Sequence, residues 1–217
     1  ENSIPEPVDW TPTFDETHKK PFGTFVIKSE LKTFFPRATV ENISETPFEK
    51  LYYSARYKDA SYILINDYQE LDTESIDELL NFAKDGNKVF ISSSEFSPYL
   101  LDTLDVYVDL IDYSLDFSDT VHTFGFYNEN LKSTYQFGLG FIYTAFKQWE
   151  FSTSQAIGYM YVDTSEYVNY VRVNFGAGSF YLHTQPYAFT NYHMLKDNHN
   201  RYASEVFAFL DNETILW

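Results

Sequence analysis

The stretch from Tyr62 to Ile91 limits the fold more than any other part of the chain. Tyr62–Ile65 is an unbroken apolar run, the pattern of a strand covered on both faces rather than one alternating toward solvent. Asp72 then stands as a helix N-cap, flanked by Leu71 and Ile76 as a hydrophobic staple, and Ile76, Leu79, Leu80 and Ala83 repeat along one helical face. Gly86 occupies the position where a left-handed residue ends a helix, and Val89–Ile91 begins a second buried strand at once. Strand, helix and strand in that order form a βαβ unit, so the two strands are expected to be parallel and the domain to be of the α/β kind.

Similar signals lie at both ends of the chain. Ile27, Leu31, Phe34 and Phe35 make an amphipathic helix closed by Pro36. Tyr202, Val206, Phe209 and Leu210 make another near the C-terminus, followed by a strand at 214–217. Between them the pattern changes. "PYLLDTLDVYVDLIDYS" allows one short helix and then alternates, and the chain to Tyr181 is rich in Tyr and Phe at strand-like spacing, as in antiparallel sheet. "YVNYVRVNF" and "SFYLHTQ" on either side of "GAG" read as a hairpin in which Gly176 and Gly178 supply positive φ angles. A phosphate-cradling glycine loop would instead be followed by a helix. The organisation is thus residues 1–14 as an N-terminal tether with a first short strand, and 15–217 as one α/β domain carrying a β-rich aromatic insertion at about 104–182.

Charge and composition remove several functions. With 32 acidic against 15 basic side chains the net charge is −17, which opposes nucleic-acid phosphates and anionic headgroups, so no nucleic-acid partner is expected. No stretch has the roughly 20 apolar residues of a membrane span. The polar, proline-bearing start "ENSIPEPVDWTP" reads as a tether trimmed of a leader or anchor, so contact with a membrane is expected only through segments outside this chain. There is no cysteine, which excludes thiol nucleophiles, thiolate metal sites and disulfides together.

Three segments, "VDWTPTFDETHKKPFGTFVIKSELKTFFP", "YILINDYQELDTESIDELLNFAKDGNKVFISSSEF" and "YAFTNYHMLKDNHNRYASEVFAFLDNETILW", resemble the bacterial family called domain of unknown function 4350. The first half is also similar to flavodoxin-like and class I glutamine-amidotransferase-like domains of the intraflagellar-transport GIFT type, departing by a single Gly86 where such domains often carry a glycine pair. The resemblance implies a three-layer, mostly parallel sheet flanked by helices. It also implies a periplasmic or otherwise extracytoplasmic domain hung from the inner membrane, working as a non-enzymatic interaction or sensor module beside a MoxR-type ATPase.

Little in the sequence argues for catalysis. The amidotransferase nucleophile is absent with cysteine, and no G-x-S-x-G elbow surrounds Ser92, Ser93 and Ser94. The five histidines have no i, i+4 pair for zinc and read as surface residues; a metal site from His18, Asp67 and His183 would have to be assembled from distant segments. Asp102, Asp105, Asp109, Asp112, Asp116 and Asp119 read as a solvated acidic face. No catalytic residue, metal ligand or cofactor is assigned. Open α/β sheets bind ligands beyond the carboxyl ends of their strands, which makes Asp15, His18, Asp67, Ser93, Glu95, His183, Gln185 and Asn191 the ligand-binding candidates. Two alternatives to an interaction module stand beside it. One is a small-ligand or hydrolytic domain using those residues. The other is a carbohydrate module using exposed aromatic rings, for which Tyr181, Tyr187 and Trp149 are the candidates.

Overall fold

The computed structural model describes residues 7–54, 56–68, 71–116, 121–138, 141–149 and 153–217, with side chains for all of these except 112–116, 141–143, 148 and 149. Helix α1 (Phe25–Phe34) buries Ile27 and Leu31 as the spacing predicts and leads to a short strand β1 (Thr39–Glu41) and helix α2 (Pro47–Tyr52). The βαβ unit follows as β2 (Ala60–Ile65), α3 (Thr73–Lys84) and β3 (Lys88–Ser92), with β2 and β3 adjacent and parallel. Asp72 caps α3 by accepting the Ser75 N–H at 2.7 Å, and Gly86 has φ +104°. A short α4 (Pro98–Leu104) introduces six strands: β4 (Val106–Asp116), β5 (His122–Phe126), β6 (Tyr135–Phe137), β7 (Phe141–Trp149), β8 (Ser154–Val162) and β9 (Ser165–Phe175). The chain closes with β10 (Gly178–His183), α5 (Asn191–Met194), α6 (His199–Phe207) and β11 (Thr214–Leu216).

Among the described residues all eleven strands belong to one sheet, in the order β1-β11-β2-β3-β10-β9-β8-β5-β6, with β7 bonded to β9 and β4 to β7. The pairings β1/β11, β11/β2, β2/β3 and β3/β10 are parallel; the rest are antiparallel. The sheet is therefore mixed, not mostly parallel. The reason is that the insertion does not form a layer of its own but joins the parallel core edge to edge through the β9–β10 hairpin. Strand β9 carries β8 along one edge, while its other edge is shared by β10 at 170–175 and β7 at Val168, so the sheet forks there.

Helices cover both faces of the parallel half. Alternate residues of β2 and β3, such as Ile63 and Phe90, pack with α1 and α6, whereas Tyr62, Val89 and Ile91 pack with α3 and α4. Leu64 is half-buried rather than central; Ile63, 3% exposed, is the deep residue of that strand. At the hairpin, Gly176 has φ +61° as expected, but Gly178 does not have a positive φ. Its requirement is space: a Cβ there would lie 2.0 Å from the Asn87 carbonyl oxygen and 2.4 Å from that of Ala83.

The expectation of a tether and first strand at 1–14 is corrected for residues 7–14. No strand forms there, because the segment is held by side chains and single bonds. The Trp10 ring packs on Phe22 and Tyr192 at 5.6 and 5.4 Å, and the Thr13 and Phe14 N–H groups both donate to the Phe22 carbonyl. Residues 1–6 lie outside the described residues, as do the side chains of Asp112, Asp116 and Trp149 and the whole of Asp119.

Candidate functional site

The carboxyl ends of β2, β3 and β10 bring Asp67, Ser93, Glu95, His183 and Gln185 together. Parallel pairing does this directly, since Ile65, Ser92 and His183 are in register and the chain beyond each emerges on the same side. The Asp67 carbonyl accepts the N–H groups of Ser94 and Glu95 at 3.0 and 3.3 Å, and the Ser93 N–H donates to the His183 carbonyl at 3.0 Å. The half-buried Asp67 carboxylate accepts the Ser94 hydroxyl at 2.6 Å on one oxygen and the Tyr187 hydroxyl at 3.0 Å on the other. Burial and the Asp67 charge both push the Tyr187 phenol above its ordinary range.

Deeper in, Ser92 Oγ lies 2.9 Å from His183 Nδ1, and His183 Nε2 lies 2.9 Å from the Tyr202 hydroxyl. The Gln185 N–H also donates to Nδ1, which makes Nδ1 the acceptor and places the imidazole proton on Nε2, toward Tyr202. Burial lowers the His183 pKa to about 3, so the ring is neutral at ordinary pH. A serine hydroxyl beside an imidazole is the first half of a nucleophile–base pair. Here the second half is missing: the far nitrogen meets a tyrosine instead of an orienting carboxylate, the base is very weak, and Ser92 and His183 are both fully buried. The arrangement fastens β3, β10 and α6 to one another.

Asp15, His18 and Asn191 are not part of this cluster. Asn191 is buried and staples the loop at 15–24 to α5, with Nδ2 donating to the carbonyls of His18 and Lys20 at 2.8 and 2.7 Å and Oδ1 accepting the Val26 N–H at 2.7 Å. The Asp15 carboxylate is held low in pKa by the Thr17 hydroxyl and N–H, and the exposed His18 ring stands 3.9 Å from it. His18, Asp67 and His183 are therefore not assembled as a metal set, and among the described residues no group of three or more His, Asp or Glu side chains is placed to hold a metal ion. Glu95 is exposed at the rim, next to Tyr68, which is 53% exposed. Gln185 turns inward, donating to the Thr144 carbonyl at 2.9 Å.

Ser92 is visible in the sequence only with Ser93 and Ser94, as a strand-end run without a nucleophile elbow, and Tyr202 only as one core residue of an amphipathic helix. The expectation of surface histidines is also corrected. His122, His183, His193 and His199 are all buried, and the His199 ring stacks on Phe137 at 4.0 Å. The aromatic candidates Tyr181 and Tyr187 are core residues. Where surface tyrosines meet, their rings do not share a plane: the exposed Tyr52 and Tyr53 meet at 87°, and the half-buried Tyr159 meets the exposed Tyr127 at 54° and the exposed Tyr161 at 77°.

The fold and the strand-end cluster define a mixed α/β domain built on a single large sheet, with a buried polar lock at the carboxyl ends of its parallel strands. The chain belongs to the family described as Domain of unknown function (DUF4350), whose sequence profile matches residues 17–207. No curated protein sequence matches it. Among solved structures it is similar to the mmIFT52 N-terminal domain, at 11% identity and a TM-score of 0.62, over 93% of this chain and 94% of that one. It is also similar to Gan42B, a GH42 beta-galactosidase from G. stearothermophilus, at 11% identity and TM-score 0.53 over 95% of this chain. Agd3, a carbohydrate deacetylase, matches at 11% identity and TM-score 0.51 over 70% of this chain. The chain spans only 28% and 25% of those two proteins' lengths. At such identities the likeness is one of fold.

Proposed function

We propose that this chain is a non-enzymatic interaction or sensor domain, acting on the extracytoplasmic face of a membrane as part of an anchored protein and assisting a MoxR-type ATPase. The observation that carries the non-enzymatic reading is the closed state of the serines, Asp67 and His183 at the strand ends, where Glu95 is the exposed member of the cluster. Each serine hydroxyl there has a protein partner, both Asp67 oxygens are engaged, and the Ser92–His183 pair is sealed and lacks a carboxylate. Sites that work on substrates keep at least one such group open to a cleft. The location and the ATPase partner rest on the family resemblance. We further read the parallel half as a flavodoxin-like three-layer unit, supported by five parallel strands with helices on both faces.

A tagged full-length protein, isolated from membranes under mild detergent, is expected to enrich a MoxR-type ATPase over an untagged control; equal recovery would sink the partnership. The domain is also expected to turn over none of a panel of chromogenic esters, glycosides and phosphates. Turnover lost in Ser92→Ala would replace this reading with the hydrolytic one.

A further inference from the structure

Among the described residues the edge of the sheet at β1 is bonded on one side only. Among the described residues β1 pairs with β11 alone, through the Thr39 N–H to the Glu213 carbonyl at 2.8 Å, the Trp217 N–H to the Glu41 carbonyl at 2.9 Å and the Ile43 N–H to the Trp217 carbonyl at 2.7 Å. Main-chain groups alternate in direction along a strand, so Thr39, Glu41 and Ile43 face β11 while Val40 and Asn42 direct their N–H and C=O groups to the opposite, open side. Val40 and Asn42 also line a groove of about 530 Å³ against α1, with Phe25 and Leu31 as apolar lining and Lys28 and Lys32 along the helix. The Glu41 side chain points to the other face, where its carboxylate accepts from Lys50 and Tyr57.

An open strand edge with a helix alongside and a groove between them is the geometry of strand addition, in which main-chain bonds supply affinity and the groove selects alternate side chains. The charge of the groove selects further. In a chain of net charge −17 it presents two lysines one helical turn apart. Its one carboxylate, Glu16, is already held by Lys28 and by the Trp217 indole N–H. Lys32 donates to the Ala38 carbonyl at 2.8 Å and is matched to no carboxylate among the described residues. A second copy of β1 laid on this edge would set lysines against lysines.

Building on the interaction reading above, we propose that β1 and α1 form a docking site for an extended segment of a partner protein, added as a strand at Val40 and Asn42. The segment carries an apolar side chain for the Phe25–Leu31–Val40 lining and, two residues away on the same face, an Asp or Glu for Lys32.

Selection of random phage-displayed peptides on the purified chain tests this. Enriched sequences are expected to carry the apolar-x-acidic pattern, and the best synthetic peptide to shift the amide resonances of Val40 and Asn42. Val40→Pro removes an N–H that the fold does not use, a replacement tolerated at a sheet edge, and is expected to weaken that peptide about tenfold or more. Lys32→Glu, at an exposed helical position, is expected to weaken it as well and Lys32→Arg to restore it, which keeps the test decisive should the proline variant not fold. Ligands that are basic, that bind Val40→Pro unchanged, or that shift another surface overturn the docking site and leave the interaction reading standing. A concentration-dependent dimer with protected β1 amides overturns it in favour of self-pairing, and a selection that enriches nothing counts against both readings.

Discussion

Two groups of tyrosines, one at the ends of the parallel strands and one on the outer face of β5 and β8, use their hydroxyls in opposite ways. At the ends of β2, β3 and β10 the hydroxyls of Tyr187 and Tyr202 are buried and bonded inward, to Asp67 and His183. Across β5 and β8, Tyr127 and Tyr161 are 42% and 37% exposed, and both donate to the exposed Glu166, at 2.9 and 2.7 Å. The cause is what covers each face. Helices lie on both sides of the parallel strands, so a phenol there must find a protein partner or leave a buried polar group unsatisfied. In the antiparallel half Phe124, Phe126 and Met160 face the α6 side, with Tyr202 5.8 and 5.4 Å from the two phenylalanine rings, while Tyr127, Tyr159 and Tyr161 turn the other way. The difference teaches that the aromatic richness of the chain has two separate origins: filling a two-sided core and surfacing a one-sided sheet.

The sharpest test of that contrast is truncation in each half. Phe180→Ala, at a fully buried position of β10, is expected to lower unfolding free energy by about 3–5 kcal/mol. Tyr161→Ala should cost less than about 1 kcal/mol. Denaturant midpoints that move equally would erase the distinction between the halves.

Acid should act on the parallel half through His183. Its folded pKa, about 3, lies below the ordinary 6.5, so between those values the unfolded chain binds a proton that the folded chain refuses. Stability is then complete above pH 6.5 and falls toward pH 3, by about 1.4 kcal/mol per pH unit from this group. The buried His199, also lowered by burial, adds in the same direction. Urea melts from pH 7 to 4.5 should show a shallower decline for His183→Asn than for the parent; parallel slopes would mean that the ring is not sealed.

Two glycines compare the halves by a single methyl group. Gly178→Ala drives a Cβ into the Asn87 and Ala83 carbonyls and should cost about 1–3 kcal/mol or more, since backbone must move. At Gly125 the added Cβ would meet the Tyr159 hydroxyl at 2.4 Å, the end of a half-exposed ring able to swing aside, and a cost below about 1 kcal/mol is expected. Thermal melts giving Gly125→Ala the larger loss would show that the Tyr159 ring is as fixed as a core residue. The smallest effects compare two carboxylates. Asp72→Ala removes the α3 cap and should cost about 0.5–2 kcal/mol. Asp109→Ala breaks an ion pair with Lys147 whose side chains are 56% and 70% exposed, and should change stability by less than about 0.5 kcal/mol. Indistinguishable melts for this pair would remove the cap from the account of α3.

How much of this was legible follows from the range of each interaction. The α3 cap, the Gly86 stop, the β2–α3–β3 unit and the β9–β10 hairpin depend on residues close in the chain, so the sequence determined them alone. The second role of β10 did not show there. Five of the six residues that answer β9 in the hairpin, Ser179–His183, also lie parallel to β3, some 90 residues earlier, and no local pattern encodes which open edge a strand will meet. The same holds for the candidate site. Asp67, Ser93, Glu95, His183 and Gln185 could be named because strand ends are predictable, whereas the pairing of His183 with Ser92 and Tyr202 arose only when α6 was laid against β3 and β10. Local residue order thus determined the pieces and their caps. Tertiary packing decided the strand order, the fork at β9 and the burial of four histidines, because hydrophobic burial and partner choice depend on contacts between segments far apart in the chain.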